Sequence, residues 1–440
     1  MAQIIQSATE PLAKVDVDPV TLDLIENALR NARYEMDEVL FRTALSPGIR
    51  EQHDEFPLIG DPDGKMMVGQ FGLSIPDFLA GFHDTVEEGD VLLTSDPYSC
   101  GAAISHANDW LVVMPIFVDG RVVGWSSMFG HMSDVGGKSA SSMPTDAKTI
   151  FEEGVIIPPF KLYSKGVLAS DSLRIILNQV RKPDWNRADL NGIVAACRTA
   201  SRRVQELCAR FGVETYVSAL DALLARNYRA MKTLLHMIFE EGRTLSFTDY
   251  ICDDGVGYGP YELRLALTRT GDKVHLDFSG SSPQAKGPIN YYLNENLARM
   301  FFGIYMITVA DPQILWNDGF YPLIDVTIEE GSFWKPKYPA ALNARNHGIG
   351  RVFDLFGGLL GQTNPDLLNA AGFSSSPHFM YSGTYGEGER KGEWFQLYSI
   401  GFGGIPGRPI GDGPDGHSLW PSFTNIPCEY LESYYPLRIE

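Results

Sequence analysis

Two apolar runs, Trp110-Leu-Val-Val-Met-Pro-Ile-Phe-Val118 and Arg121-Val-Val-Gly-Trp-Ser-Ser-Met-Phe129, flank the dipeptide Asp119-Gly120, and their reading decides the fold of the first part of the chain. Asp-Gly accepts positive φ at both central positions of a tight turn, so the segment reads as a two-residue β-hairpin. Counting back from Val118 and Arg121 pairs Asp109 with Gly130, and His131 then sits diagonal to Asp109 at the open end. His106 stands on the approach to the first strand, reached from a short strand, Val91-Leu-Leu-Thr94, through Asp96-Pro97-Tyr98 and the small-residue loop Ser99-Cys-Gly-Ala-Ala103.

Two imidazoles and one carboxylate at one end of a hairpin have the chemistry of a catalytic divalent-metal site. Neutral ring nitrogens donate, the carboxylate offsets charge, and coordination positions stay open. His106, Asp109 and His131 are therefore the candidate metal ligands and catalytic residues. Asp134, in His131-Met-Ser-Asp134-Val-Gly-Gly137, is a candidate fourth ligand or an acceptor for an imidazole N–H. On spacing alone, unliganded loop histidines compete with this reading. Tyr98, Trp110, Met128 and Phe129 are the expected apolar wall of the site. His53-Asp54-Glu55 and His83-Asp84 place neighbours on opposite faces of an extended chain and read as solvated loop charge. Asn343-Ala-Arg345-Asn346-His347 precedes a glycine-led helix, and a carboxylate-binding Arg345 or a helix cap explains it equally well.

Outward from the hairpin, Asp18-Pro19 is an N-cap followed by proline at the first helical position. Leu22, Ile25, Leu29, Ala32, Met36 and Val39 then recur at helical spacing, predicting a helix of about seven turns that ends near Ser46-Pro47-Gly48. Pro144 to Pro159 reads as a loop with a short helical stretch. Helical patterning covers Ser170 to Gly212 and Thr215 to Glu241. From Leu245 short strands take over, Tyr261 to Leu267 and Val274 to Phe278 around Gly271-Asp272, with helices over Leu293 to Ala310 and Gly350 to Gln362. The expectation is a multi-domain α+β protein. An N-terminal helix and β-hairpin domain with the metal site and a helical segment spans 1–244, and a mixed β-rich, glycine-rich α/β domain spans 245–440.

The chain has 440 residues, 44% of them hydrophobic and 21% charged, as expected of a globular protein with large cores. Its net charge of −19 argues against nucleic acid or an anionic membrane as partner, since phosphate recognition needs a basic stripe. Met1 to Asp18 shows neither a basic start nor an apolar signal core, so a cytoplasmic location is expected. The five cysteines lack CxxC spacing and fit reduced, mostly buried thiols. The glycine-rich stretch from Gly401 to Gly416 suggests loops shaped around something, or turns of a β-rich region. Gly136-Gly137-Lys138-Ser139 has Met132 where a phosphate-binding loop needs its first glycine, and neither HExxH nor GxSxG occurs. The sequence thus shows no recognisable place for ATP.

Taken together, Asn27 to Pro47 with Ser46-Pro-Gly-Ile-Arg-Glu51, Asp96-Pro-Tyr98, His106-x-x-Asp109, His131-x-x-Asp134-Val-Gly-Gly137, Ser142-Met-Pro144 and Glu153-Gly-Val-Ile-Ile-Pro158-Pro159 resemble the hydantoinase B/oxoprolinase family. Asp277-Phe-Ser-Gly-Ser-Ser-Pro-Gln284, Gly287-Pro-Ile-Asn290, Asn317-x-Gly319, Asn425-Ile-Pro-x-Glu429 and Tyr435-Pro-Leu437 continue the resemblance in order. It implies one subunit of an ATP-dependent complex that hydrolyses hydantoins and lactams or carboxylates ketones. ATP is expected on a hydantoinase A-like ATPase partner, with or without further small subunits. The resemblance also implies Mn or Zn at His106, Asp109 and His131. Two stretches, Gln52-His-Asp-Glu-Phe-Pro-Leu-Ile59 and Ser99-Cys-Gly-Ala-Ala-Ile104, depart from the usual hydantoinase wording and look closer to the acetophenone carboxylase branch. That favours a ketone carboxylase working on a ketone and bicarbonate, in which the metal acts as Lewis acid toward an enolate oxygen. A cyclic-amide hydrolase and a non-catalytic scaffold are the alternatives. Family members usually continue past the position of Glu440 with another glycine-rich stretch.

Overall fold

The computed structural model describes residues 13–70, 72–371, 377–404, 406–409, 411–416 and 423–440. Part of Met1 to Asp18, and Ile405 and Ile410 of the glycine-rich stretch, lie outside the described residues. The chain is α+β. Helix α1 (Pro19–Thr43) starts as its sequence predicts, with the Asp18 carboxylate accepting from the N–H groups of Val20 and Thr21. Its stripe of Leu22, Ile25, Leu29, Ala32, Met36 and Leu40 is buried, at about 1.5–3 kcal/mol for each large side chain. Helix α2 (Pro47–Arg50) turns the chain into β1 (Glu55–Gly60) and β2 (Met66–Gly69). Helix α3 (Ile75–Gly81), capped by the Ser74 hydroxyl, leads to β3 (Val91–Thr94), and the predicted hairpin follows as β4 (Asp109–Val118) and β5 (Arg121–His131).

Strands β6 (Phe160–Ser164) and β7 (Val167–Leu168) complete a seven-stranded antiparallel sheet of order β2-β1-β5-β4-β3-β6-β7. Helices α4 (Ser170–Leu177), α5 (Pro183–Phe211) and α6 (Val213–Ile238) come next. Strands β8 (Thr244–Ile251), β9 (Tyr261–Thr270) and β10 (Lys273–Asp277), helix α7 (Glu295–Ala310) and strand β11 (Ile324–Thr327) form a second sheet, β11-β10-β9-β8, with its helix. Helix α8 (Asn346–Leu360), the hairpin β12 (His378–Thr384) and β13 (Trp394–Ile400), and helix α9 (Cys428–Tyr434) finish the described chain. No helix among the described residues is long and apolar enough to cross a membrane. All five cysteines are free thiols, three of them buried.

The large sheet is buried on both faces, which is why β4 and β5 read as nearly continuous apolar runs. Trp110, Val112, Met114 and Met128 pack with α1 and α5 on one side. Leu111, Val113, Trp125 and Phe129 face the core shared with α7, α8 and the second sheet. Trp110 and Met128 therefore belong to the helix-side core and cannot wall the site as the sequence suggested, because Asp109 and His131 alternate to the opposite face.

The hairpin register is also corrected. Asp119 (φ 50°) and Gly120 (φ 72°) make the expected turn and Val118 pairs with Arg121. Val123 is then an extra residue on β5: Phe117 pairs with Val122, but Ile116 pairs with Gly124. This bulge shifts every later pair by one, so Asp109 faces His131 and Trp110 faces Gly130. Directly opposed residues share a face, so the bulge places the carboxylate and the imidazole side by side. Gly124 has no side chain because a Cβ there would lie 2.7 Å from the Gly60 carbonyl oxygen. Gly124→Val should lower the unfolding free energy by about 1–3 kcal/mol, read as a reduced midpoint in urea denaturation.

Candidate metal centre

His106 lies in the loop between β3 and β4, Asp109 opens β4 and His131 closes β5. All three are buried, with 0–2% of their surfaces exposed. Their ligand atoms lie within 4.8 Å of one another, and among the described residues this is the only group of three or more His, Cys, Asp or Glu side chains so arranged. Asp109 Oδ1 is 3.0 Å from His106 Nε2 and 3.0 Å from His131 Nδ1. The two imidazole rings are tilted by 37° with centroids 4.9 Å apart.

Asn343, from the loop before α8, sets the His106 tautomer. Its Nδ2 donates to the Ser142 carbonyl, so its Oδ1 is the acceptor that faces His106 Nδ1 at 2.8 Å. Nδ1 therefore carries the proton and Nε2 carries the lone pair. Nε2 has no properly aligned hydrogen bond despite its closeness to Asp109, the arrangement of two ligands around a cation rather than of a donor with an acceptor. His131 Nε2 is a second buried nitrogen without a hydrogen-bond partner. Burial, with Arg345 nearby, pushes His106 down to about 3, so the ring is neutral and available as a ligand. Burial alone would raise Asp109, but the contacts with His106, His131 and Arg345 hold its carboxyl well below the usual range and keep it ionised. The donor set thus fits a divalent metal.

The surrounding side chains come from distant parts of the chain. Arg345 Nη2 is 3.3 Å from Asp109 Oδ2, while its Nε donates to Ser105 Oγ at 2.8 Å. The Tyr398 ring of β13 stacks on His131 at 4.6 Å and 16°. Asp54, read from sequence as solvated, is buried, and its Oδ2 lies 3.7 Å from His131 Nδ1. Burial raises the Asp54 carboxyl to about 6, opposed by His131 and reinforced by Asp109. Its neighbour Glu55 is also fully buried, so the His53-Asp54-Glu55 reading is corrected at both carboxylates. The reason is that Glu55 already belongs to β1, an inner strand of a sheet covered on both faces. The apolar run from Phe56 onward was the available signal. His83 and Asp84 are exposed, as expected.

Asp134 does not join the cluster. Its Oδ1 accepts from the N–H groups of Gly136 and Arg181, and its Oδ2 accepts from the Ser141 N–H and from Arg181 Nη1 at 2.9 Å. It is the hub of the 134–142 loop, and with its acceptor sites spent on donors it has none left for a metal. Glu153, which sequence reasoning passed over as a functional residue, accepts from the Leu342 and Asn343 N–H groups at 2.8 and 2.7 Å and so holds the loop that carries Asn343.

This chain is an α+β protein with a buried site of two histidines and one carboxylate. The sequence profile of the hydantoinase B/oxoprolinase family matches residues 18–440, and the chain belongs to that family. It is 31% identical over 334 residues to the caprolactamase subunit beta of Pseudomonas jessenii, covering 74% of this chain and 56% of that protein. To the acetophenone carboxylase delta subunit of Aromatoleum aromaticum it is 25% identical over 416 residues, covering 88% of this chain and 58% of that one. The chain therefore spans little more than half the length of either relative. The crystal structure of the ATP-dependent caprolactamase from P. jessenii superposes with a TM-score of 0.84 at 26% identity, over 97% of this chain and 74% of that one.

Two outcomes follow for the supporting residues. Asn343→Leu removes the acceptor that fixes His106 and should weaken the binding of an added divalent metal by about 10- to 100-fold, measured by competition with a chelator. Burial raises the Glu153 carboxyl from 4.5 to about 8, so the folded state holds a proton that the unfolded state releases in this window. Stability should accordingly fall as pH rises between these values, and Glu153→Gln, which mimics the protonated acid, should show a flatter profile of Tm against pH.

Proposed function

We propose that this chain is the metal-bearing subunit of an ATP-dependent enzyme that opens cyclic amides. His106, Asp109 and His131 would hold the divalent metal, Mn or Zn, and a hydantoinase A-like partner subunit would hold ATP. The observation that carries the reading is the convergence of His106 Nε2, Asp109 Oδ1 and His131 in one buried cluster. The likeness to a caprolactamase in both sequence and fold supports a cyclic amide as substrate.

A divalent cation in this cluster supplies Lewis acidity toward a carbonyl oxygen. The chain's own side chains prepare that chemistry. Asn343 keeps the proton on His106 Nδ1 and the lone pair on Nε2. Arg345 stabilises the second oxygen of Asp109 and keeps that carboxylate charged. Tyr398 covers one face of His131, fixing the ring and excluding water from it. Asp54 adds a second carboxylate beside the ring, 3.7 Å from His131 Nδ1.

Ketone carboxylation with bicarbonate is the second reading. It is favoured by the acetophenone carboxylase relative, whose match covers 88% of this chain against 74% for the caprolactamase subunit. The assay uses the protein purified with its ATPase partner, supplied with ATP and either a lactam or acetophenone plus labelled bicarbonate. Ring-opened amino acid with ATP consumption is expected. Label in an acid-stable product would instead establish the carboxylase. His106→Ala and His131→Ala should each lose the metal and lower turnover more than about 100-fold. Metal content and turnover unchanged in both variants would leave the chain a scaffold.

A further inference from the structure

The start of α5 with the segment before it, helix α2, the β12–β13 hairpin and α9 border a half-open cavity of about 180 Å³, lined by residues that include Arg50, Lys182, Trp185, Tyr385, Arg390 and Gln396. Three cations stand on this surface of a strongly acidic protein. Two have carboxylate partners: Arg50 pairs with Glu51 at 2.7 Å and Arg390 with Glu393 at 2.8 Å. For Lys182, no carboxylate among the described residues forms an ion pair. Its ammonium sits instead between the indole rings of Trp185 and Trp394, 5.1 and 5.0 Å from their centroids. Burial and the nearby Arg390 lower its proton affinity, opposed by Asp134 and Glu393, which lie near it without forming an ion pair. Indole faces offset part of the cost of a half-buried cation, and an anion would offset the rest.

Gln396 supplies the second, independent sign of a ligand. It is 2% exposed, and its Nε2 donates to the Ser133 carbonyl at 2.8 Å. That bond fixes the amide orientation and leaves Oε1 as a buried acceptor with no donor, on a residue that lines the cavity. The requirements are then threefold: an anion for Lys182, a flat apolar body for the Trp185 and Tyr385 rings, and a neutral O–H or N–H for Gln396. The volume is below the usual range of about 300–1,000 Å³ for drug-sized ligands, which admits one ring and not a nucleotide.

We propose that this cavity is a binding site for a small aromatic carboxylate bearing a hydroxyl or amide hydrogen-bond donor. It is separate from the metal cluster, yet mechanically joined to it. Gln396 and Tyr398 are alternate residues of β13, the first at the cavity and the second stacked on His131. The proposal does not depend on which reaction the metal cluster serves.

Isothermal titration of the full-length protein with 4-hydroxybenzoate, benzoate and 4-hydroxybenzyl alcohol tests it without reading activity. 4-Hydroxybenzoate is expected to bind at least about tenfold tighter than the alcohol, and Lys182→Met to abolish that difference. Gln396→Leu should bring 4-hydroxybenzoate down to the affinity of benzoate while leaving benzoate unchanged. Equal binding of acid and alcohol, no binding up to about 10 mM, or unchanged affinities in Lys182→Met would overturn the site. Lys182 is only half-buried, so its variant decides the matter even if Gln396→Leu fails to fold.

Discussion

One extra residue in β5 governs the site. Side chains alternate along a strand with a period of two, so a hairpin without the Val123 bulge would leave Asp109 and His131 on opposite faces of the sheet. With the bulge they oppose each other directly, and Asp109 Oδ1 comes within 3.0 Å of His131 Nδ1. Beside the bulge, Gly124 lies so close to β1 that a Cβ on it would be 2.7 Å from the Gly60 carbonyl oxygen. A single inserted residue near the turn of the hairpin thus sets the geometry at its open end.

The second constraint is the cost of burying polar groups. His106, Asp109, Asp54, Arg345 and Asn343 are all removed from solvent, and each is tolerable only because the others are placed against it. The bond between His106 and Asn343 joins residues 237 positions apart, and that between Arg345 and Asp109 joins residues 236 apart. Glu153 couples the two sides again through the Leu342 and Asn343 backbone. These contacts span the boundary where the chain changes from helical to β-rich patterning, so the site is built by the docking of both parts. Within the trio His106, Asp109 and His131, the buried atoms left without a hydrogen-bond partner are Nε2 of each histidine, which suits a metal-binding cluster.

The hairpin β12–β13 belongs to neither large sheet, yet its side chains reach two separate features. Tyr398 covers His131, Gln396 reaches the cation-rich cavity, and Gln52 from the segment before β1 ties down Ile400 through both its Nε2 and its Oε1. The hairpin is also anchored by a small apolar cluster of Met143, Tyr398, Ile400 and Phe402, so the cavity and the metal cluster share one packed element.

The sequence by itself determined where most elements lie and which two histidines and one carboxylate come together. The Asp18-Pro19 cap, the stripe of α1, the Asp119-Gly120 turn and the pair His106 and Asp109 are encoded in short spacings or in a single dipeptide, and His131 is found 22 residues on by counting across the hairpin. Composition argued against nucleic acid on electrostatic grounds, and the ordered motifs pointed to the family. The tertiary structure alone decided the register, the burial of Asp54 and Glu55, the withdrawal of Asp134 into a salt bridge with Arg181, and the choice of Asn343 to orient His106. The physical reason is the same in each case. Periodicity records which face of an element is buried, but the partner an individual polar atom finds depends on residues hundreds of positions away, brought together only when the two cores close.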